Sequence, residues 1–151
     1  MQELIVRESV EIQAPAEAVW RVLVAPELTR QYMFGCEALS DWKPGSPLLW
    51  AGTADGKQIV YVKGVIVACD PPRLLQYTTF DPNGTLADVP ANYVAVTCRL
   101  TPVAAGTRLE ASQGDFAGVV DAQRRYDDTK AGWSSVLPKI KALAEGLARG
   151  G

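Results

Sequence analysis

From Leu4 to Ile12 apolar and polar residues alternate. Leu4, Val6, Val10 and Ile12 share one parity while Arg7, Ser9 and Glu11 share the other, the pattern of a half-buried strand. Ile5 and Glu8 break it. Ala14-Pro15 stops the strand, and Pro15 suits the first position of a helix, where its missing N–H would have no partner anyway. The segment PAEAVWRVLV then puts Val19, Val22 and Leu23 on one stripe with Trp20 beside it, and Glu17 near the positive end of the helix dipole. Pro26 ends this helix by forcing the preceding residue out of the α region. A second short helical segment, ELTRQYMF, follows.

Beyond Gly35 the period falls to two. CEALSDW and PLLWAGT are expected strands separated by a turn at Lys43-Pro44-Gly45, and Ala54-Asp55-Gly56-Lys57 carries hairpin chemistry. QIVYVKGVIVACD has apolar residues on both parities, which predicts a strand covered on both faces, with Gly64 at a bulge or bend. Pro71-Pro72 breaks that run, RLLQYTTF alternates again, and residues 81–92 carry turn residues without periodicity. NYVAVTCRLTP, a turn at Ala104-Ala105-Gly106 and TRLEASQGDF complete the strands. The period then becomes helical from about Tyr126 to Arg149, where Trp133, Val136, Leu137, Ile140, Leu143, Ala144 and Leu147 share a face. Pro138 inside it predicts a kink, at a cost of about 3 kcal/mol in an unadapted helix. Short links between strands require antiparallel pairing. The expected fold class is α+β: a curved antiparallel sheet of roughly six to seven strands around a long C-terminal helix, with two short helices after the first strand.

Composition narrows the function classes. The 151 residues suit one domain, 1–151, with an ordinary apolar fraction of 48% and charged fraction of 21%. Net charge is −2 with no block of like sign, so neither a nucleic acid nor an anionic membrane is an expected partner. No run approaches the ~18 apolar residues of a membrane span, and MQELIVRESV lacks the apolar core of a signal peptide. Cys36, Cys69 and Cys98 are odd in number and lack metal-ligand spacing, which points to buried thiols and a cytoplasmic location. The chain contains no histidine. That removes the commonest general base, the commonest zinc ligand and every His-activated nucleophile.

Five short signatures in this order resemble the START-like (SRPBCC, helix-grip) superfamily, in the branch named after the activator of heat-shock protein 90 ATPase. They are Ala14-Pro15 leading into Val19-Trp20; Pro26-Glu27; the run from Val67 to Leu74; Gly106-Thr107; and Gly132-Trp133 with Leu137. Two departures stand out. Tyr32 occupies a place where such proteins often carry Trp, and Pro44-Gly45-Ser46-Pro47 stands where they tend to carry Gly-Gly. The resemblance implies a helix-grip fold with a cavity and no fixed catalytic residues. It also implies a chaperone partner as one reading, through the branch name alone, and leaves a homodimer open.

Trp42, Trp50, Tyr61, Tyr77 and Tyr93 fall on expected strands and, with Trp133 on the helix, are the candidate ligand-binding residues. The alternative is a filled core in which these rings pack for stability. Lys63 either holds an anionic head group or extends to the sheet edge, and Arg99 with Glu110 suits a cross-strand surface pair. Asp115, Asp121, Asp127 and Asp128 suit helix capping better than a cation site. Glu8 is the carboxylate whose burial would make it an acid or base. The sequence therefore favours a container for a small, mainly apolar molecule, with no cofactor, no metal and no assigned catalytic residue. An enzyme of cyclase, dehydratase or hydrolase type would need groups such as Glu8, Tyr61 or Tyr93 to meet inside the cavity.

Overall fold

The structure, a computed structural model, describes residues 3–150. Strand β1 (Val6–Ile12) leads into helices α1 (Ala16–Val24) and α2 (Pro26–Thr29). Four strands follow, β2 (Glu37–Ser40), β3 (Pro47–Ala54), β4 (Lys57–Asp70) and β5 (Leu74–Thr79). A loop with one 3-10 turn (Pro90–Asn92) separates them from β6 (Val94–Val103) and β7 (Gly106–Gly114), and α3 (Ala122–Gly150) closes the chain. The seven strands form one curved antiparallel sheet in the order β1-β7-β6-β5-β4-β3-β2. Because β1 and β2 occupy opposite edges, the chain between them must cross the width of the sheet. Helices α1 and α2 make that crossing, and α1 packs on α3 and against β6 and β7.

The alternation read from the sequence survives in the sheet. Val94, Val96, Cys98 and Leu100 are buried on the face towards α3, while Arg99 and Thr101 are exposed. The register puts Val10 opposite Leu109 and Leu100 opposite Leu109, so strands distant in sequence share one apolar face. Two buried hydroxyls hold the crossing segment. Thr29 Oγ1 accepts from Ala38 N at 2.9 Å, and Thr107 Oγ1 donates to the Ala14 carbonyl at 2.8 Å.

Two expectations are corrected. Strand β4 is not covered on both sides: Val65 and Val67 are 41% and 47% exposed. Register shifts place an extra residue in β4 at Tyr61 against β3 and at Val67 against β5. Each bulge switches the parity that faces the helix, so a single-faced strand shows apolar residues on both parities. Gly64 lies between these bulges, where a Cβ would stand 1.7 Å from the Thr78 carbonyl oxygen. Helix α3 also starts four residues before Tyr126. Arg125 N donates to the Asp121 carbonyl, but the polar run Gln123-Arg124-Arg125 carries no apolar period to reveal the start. Helical conformation continues through Pro138, which is exposed.

Candidate functional site

A pocket of about 290 Å³ opens between the inner face of the sheet and α3. Strands contribute Trp50 from β3, Val62 from β4, Leu75 and Tyr77 from β5, Val96 and Cys98 from β6, and Gln113 from β7. The helix contributes Arg125, Thr129, Gly132, Trp133, Val136 and Ile140. Their spacing of three and four puts them on one stripe. Leu23 and Tyr32 close one side, and Phe34, which is 79% exposed, stands at the rim with Asp81. At Gly132 a Cβ would meet nothing within 4 Å, so the helix here has open space against its backbone.

The wall is mainly apolar and aromatic. Trp50 and Tyr77 hold their ring centroids 6.1 Å apart at 48°, a tilted pair. Tyr32, 3% exposed, donates its hydroxyl to the Val22 carbonyl at 2.9 Å, which satisfies the polar end of a buried ring. Burial pushes both tyrosine hydroxyls well above their usual range, with Cys98 adding to the shift in each. Burial also pushes the Cys98 thiol up to about 12. These three groups are therefore neutral at pH 7, and Cys98 has no thiolate character. Trp133 Nε1 donates to Gln113 Oε1 at 2.9 Å, which leaves the Gln113 amide nitrogen as the end free to donate. Arg125 has a buried Nη1 without a hydrogen-bond partner among the described residues.

Of the six ring residues singled out from the sequence, Trp50, Tyr77 and Trp133 lie on the pocket wall. The other three lie elsewhere. Trp42 packs half-buried against the main core, and its backbone N–H donates to Ser40 Oγ. Tyr61 is 40% exposed and lies over Gly52. Tyr93 stacks on Phe80 at 4.8 Å and reaches the pocket only through that ring, while its hydroxyl donates to Asp88.

The charged candidates also have places. Lys63 pairs with Asp88 and lies 6.0 Å from the Phe80 ring centroid, outside the pocket wall. Glu8 receives a long hydrogen bond from Ser134 Oγ at 3.4 Å and is not on the wall. Arg99 stands directly opposite Glu110 across β6 and β7. Asp115 accepts from Leu4 N and Ala117 N, Asp121 pairs with Arg124, and Asp127 accepts from Gln123. Among the described residues no cluster of three His, Cys, Asp or Glu side chains could hold a metal ion.

Sequence reasoning passed over Arg125, Gln113, Thr129 and Cys98. Cys98 was hidden because thiols are ordinary core residues. Arg125 lies eight residues before Trp133, at helical spacing, but within the polar run that precedes the apolar stripe, so only the fold brings it to the pocket.

No helix of the described residues is long and apolar enough to cross a membrane. A comparison with curated proteins finds no match. Among solved structures, the chain is similar to a protein of Cytophaga hutchinsonii known in solution, at 34% identity and TM-score 0.74 over 99% of each chain. It is also similar to a Mesorhizobium loti crystal structure, at 26% identity and TM-score 0.72 over 94% of this chain and 97% of that one. The solution structure of the Aha1 dimer from Colwellia psychrerythraea shares the fold at 12% identity, with TM-score 0.69 over 93% and 96% of the two chains. The family described as Activator of Hsp90 ATPase homolog 1-like protein matches residues 13–145. Helix-grip architecture, a match over most of the length and a relative at 34% identity agree: the chain belongs to the Activator of Hsp90 ATPase homolog 1-like family.

Proposed function

We propose that this protein is a one-domain container that binds a small, mainly apolar molecule between its sheet and α3. The observation that carries the reading is the unfilled space of about 290 Å³ against Trp50, Tyr77 and Trp133. A filled core would have side chains there, because protein interiors pack to crystal-like density. That volume is at the lower end of small-molecule sites, which run from about 300 to 1,000 Å³, and suits a ligand of one or two rings. Binding accounts for the site better than catalysis. Tyr32, Tyr77 and Cys98 are held in their neutral forms, and Glu8, Tyr61 and Tyr93 do not converge on the wall. A cyclase, dehydratase or hydrolase needs at least two polar groups with matched proton affinities at the reacting atoms. The free thiols Cys36, Cys69 and Cys98 suit a cytoplasmic setting.

The test uses Gly132. A Gly132→Phe variant places a ring in the open space beside the α3 backbone, while Gly132→Ala adds only a methyl group. With the uncharged two-ring fluorescent probe 6-propionyl-2-(dimethylamino)naphthalene, wild type and Gly132→Ala should bind and enhance emission, and Gly132→Phe should not. Circular dichroism checks that the variants fold. Absence of binding to the wild type, or equal binding by Gly132→Phe, would sink the container reading.

A further inference from the structure

We infer that the pocket takes a small organic anion, an apolar or aromatic body carrying a carboxylate, and that Arg125 receives the carboxylate. The inference rests on the binding reading above and names the class of ligand. Arg125 lines the pocket, yet its Nη1 is buried and has no hydrogen-bond partner among the described residues. A guanidinium cannot give up its charge at neutral pH, so an unpaired buried donor of this kind carries an uncompensated desolvation cost. Its neighbour Arg124 is paired with Asp121 at 3.3 Å. Among the described residues Arg125 has no ion pair within 4 Å; its guanidinium carbon lies 5.8 Å from the Phe116 ring centroid, a contact that supplies no acceptor to Nη1.

Position along the helix makes the arrangement less favourable still. Arg125 sits in the first turn of α3, which has no acidic residue there. The dipole makes that end of a helix positive, so a cation is disfavoured and an anion favoured. Two sources of positive potential thus converge on one end of a mainly apolar pocket. Gln113 and Thr129 stand on the same wall and offer further donors of the neutral kind. Asp81 is the carboxylate on the lining, but it is exposed at the rim and accepts from Asn83 N, where water screens its charge. The planar fork of arginine fits a carboxylate through two parallel hydrogen bonds. Rings or methylenes of the same ligand would lie against Trp50, Leu75, Tyr77 and Val96.

Calorimetric titration with naphthoate and its uncharged amide, naphthamide, at neutral pH tests this on wild type, Arg125→Met and Arg125→Lys. Wild type should bind naphthoate about tenfold or more tightly than naphthamide, the range of a charge-assisted pair. Arg125→Met should abolish that preference while retaining naphthamide, and Arg125→Lys should restore part of it. Equal affinity of the wild type for the two probes, or a preference that survives in Arg125→Met, overturns the anion assignment and leaves an apolar container standing. Failure of the wild type to bind either probe overturns the container reading and this inference together.

Discussion

At Gly64 a hydrogen atom stands where any other residue would drive a carbon to 1.7 Å from the Thr78 carbonyl oxygen. Lys63 and Phe80 exchange backbone hydrogen bonds beside this contact, and Thr78 Oγ1 accepts from Val65 N across the gap. Gly64→Ala should therefore destabilise the protein by about 1–3 kcal/mol, the usual cost of overpacking, measured as a lower urea midpoint at unchanged slope. Gly132 gives the opposite sign. Its Cβ position is open, its backbone is helical, and alanine should add about 0.5–1 kcal/mol by lowering the freedom of the unfolded chain. Both glycines were visible in the sequence, one as a bend and one in the closing helix. Nothing in the sequence told them apart, since the difference lies in what sits 4 Å away on another segment.

Among the elements, α2 is the smallest and depends most on a single side chain. Four residues cannot hold a helix by their own hydrogen bonds, because the first turn costs more than it returns. Thr29, fully buried, compensates by accepting from Ala38 N and placing its hydroxyl within 3.2 Å of the Pro26 and Cys36 carbonyls. Thr29→Val keeps the shape and removes the acceptor. It should cost about 1–3 kcal/mol, the penalty for an unpaired buried N–H. Hydrogen exchange should speed up most at Ala38; exchange that quickened uniformly along the chain would contradict this local role. The sequence indicated a short helical segment here but could not show the tie. Ala38 lies nine residues on, in an element whose position beside α2 comes only from the sheet order.

Across the whole molecule, three carboxylates fasten segments far apart in the chain. Glu145 on α3 accepts from Lys141 and from Gln13 N, Asp115 accepts from Ala117 N and Leu4 N, and Asp88 takes bonds from Lys63 and Tyr93. The Lys141 bond does most to hold the Glu145 carboxyl below its usual range. The Ala117 N–H does so for Asp115 and the Lys63 ammonium for Asp88. A carboxyl with a lowered folded-state pKa stabilises the fold above its unfolded value, and that stability is lost as pH falls through the folded value. The melting temperature should accordingly be flat from neutral pH to about 5 and fall below about 4, where ordinary carboxylates protonate. Glu145→Gln combined with Asp88→Asn should lower the neutral plateau and flatten the acid limb. An acid limb as steep as that of wild type would contradict the assignment.

The element order, the antiparallel pairing, the inward parity of most strands and the apolar stripe of α3 were all legible along the chain. All of these follow from periods of 2 and 3.6 and from turn chemistry, which are local properties of a chain. Three of the ring residues on the wall were also visible, because large aromatics on inward parities have little choice of side. Tertiary structure alone decided the rest. It showed which parity of β4 faces the helix after two bulges, and that Trp42, Tyr61 and Tyr93 lie off the wall. It also brought Arg125 to a pocket built from residues as distant as Leu23 and Ile140. The physical reason is the same each time. Unfilled space and an unpaired charge are properties of surfaces brought together from separate segments, and no local pattern records the distance between them.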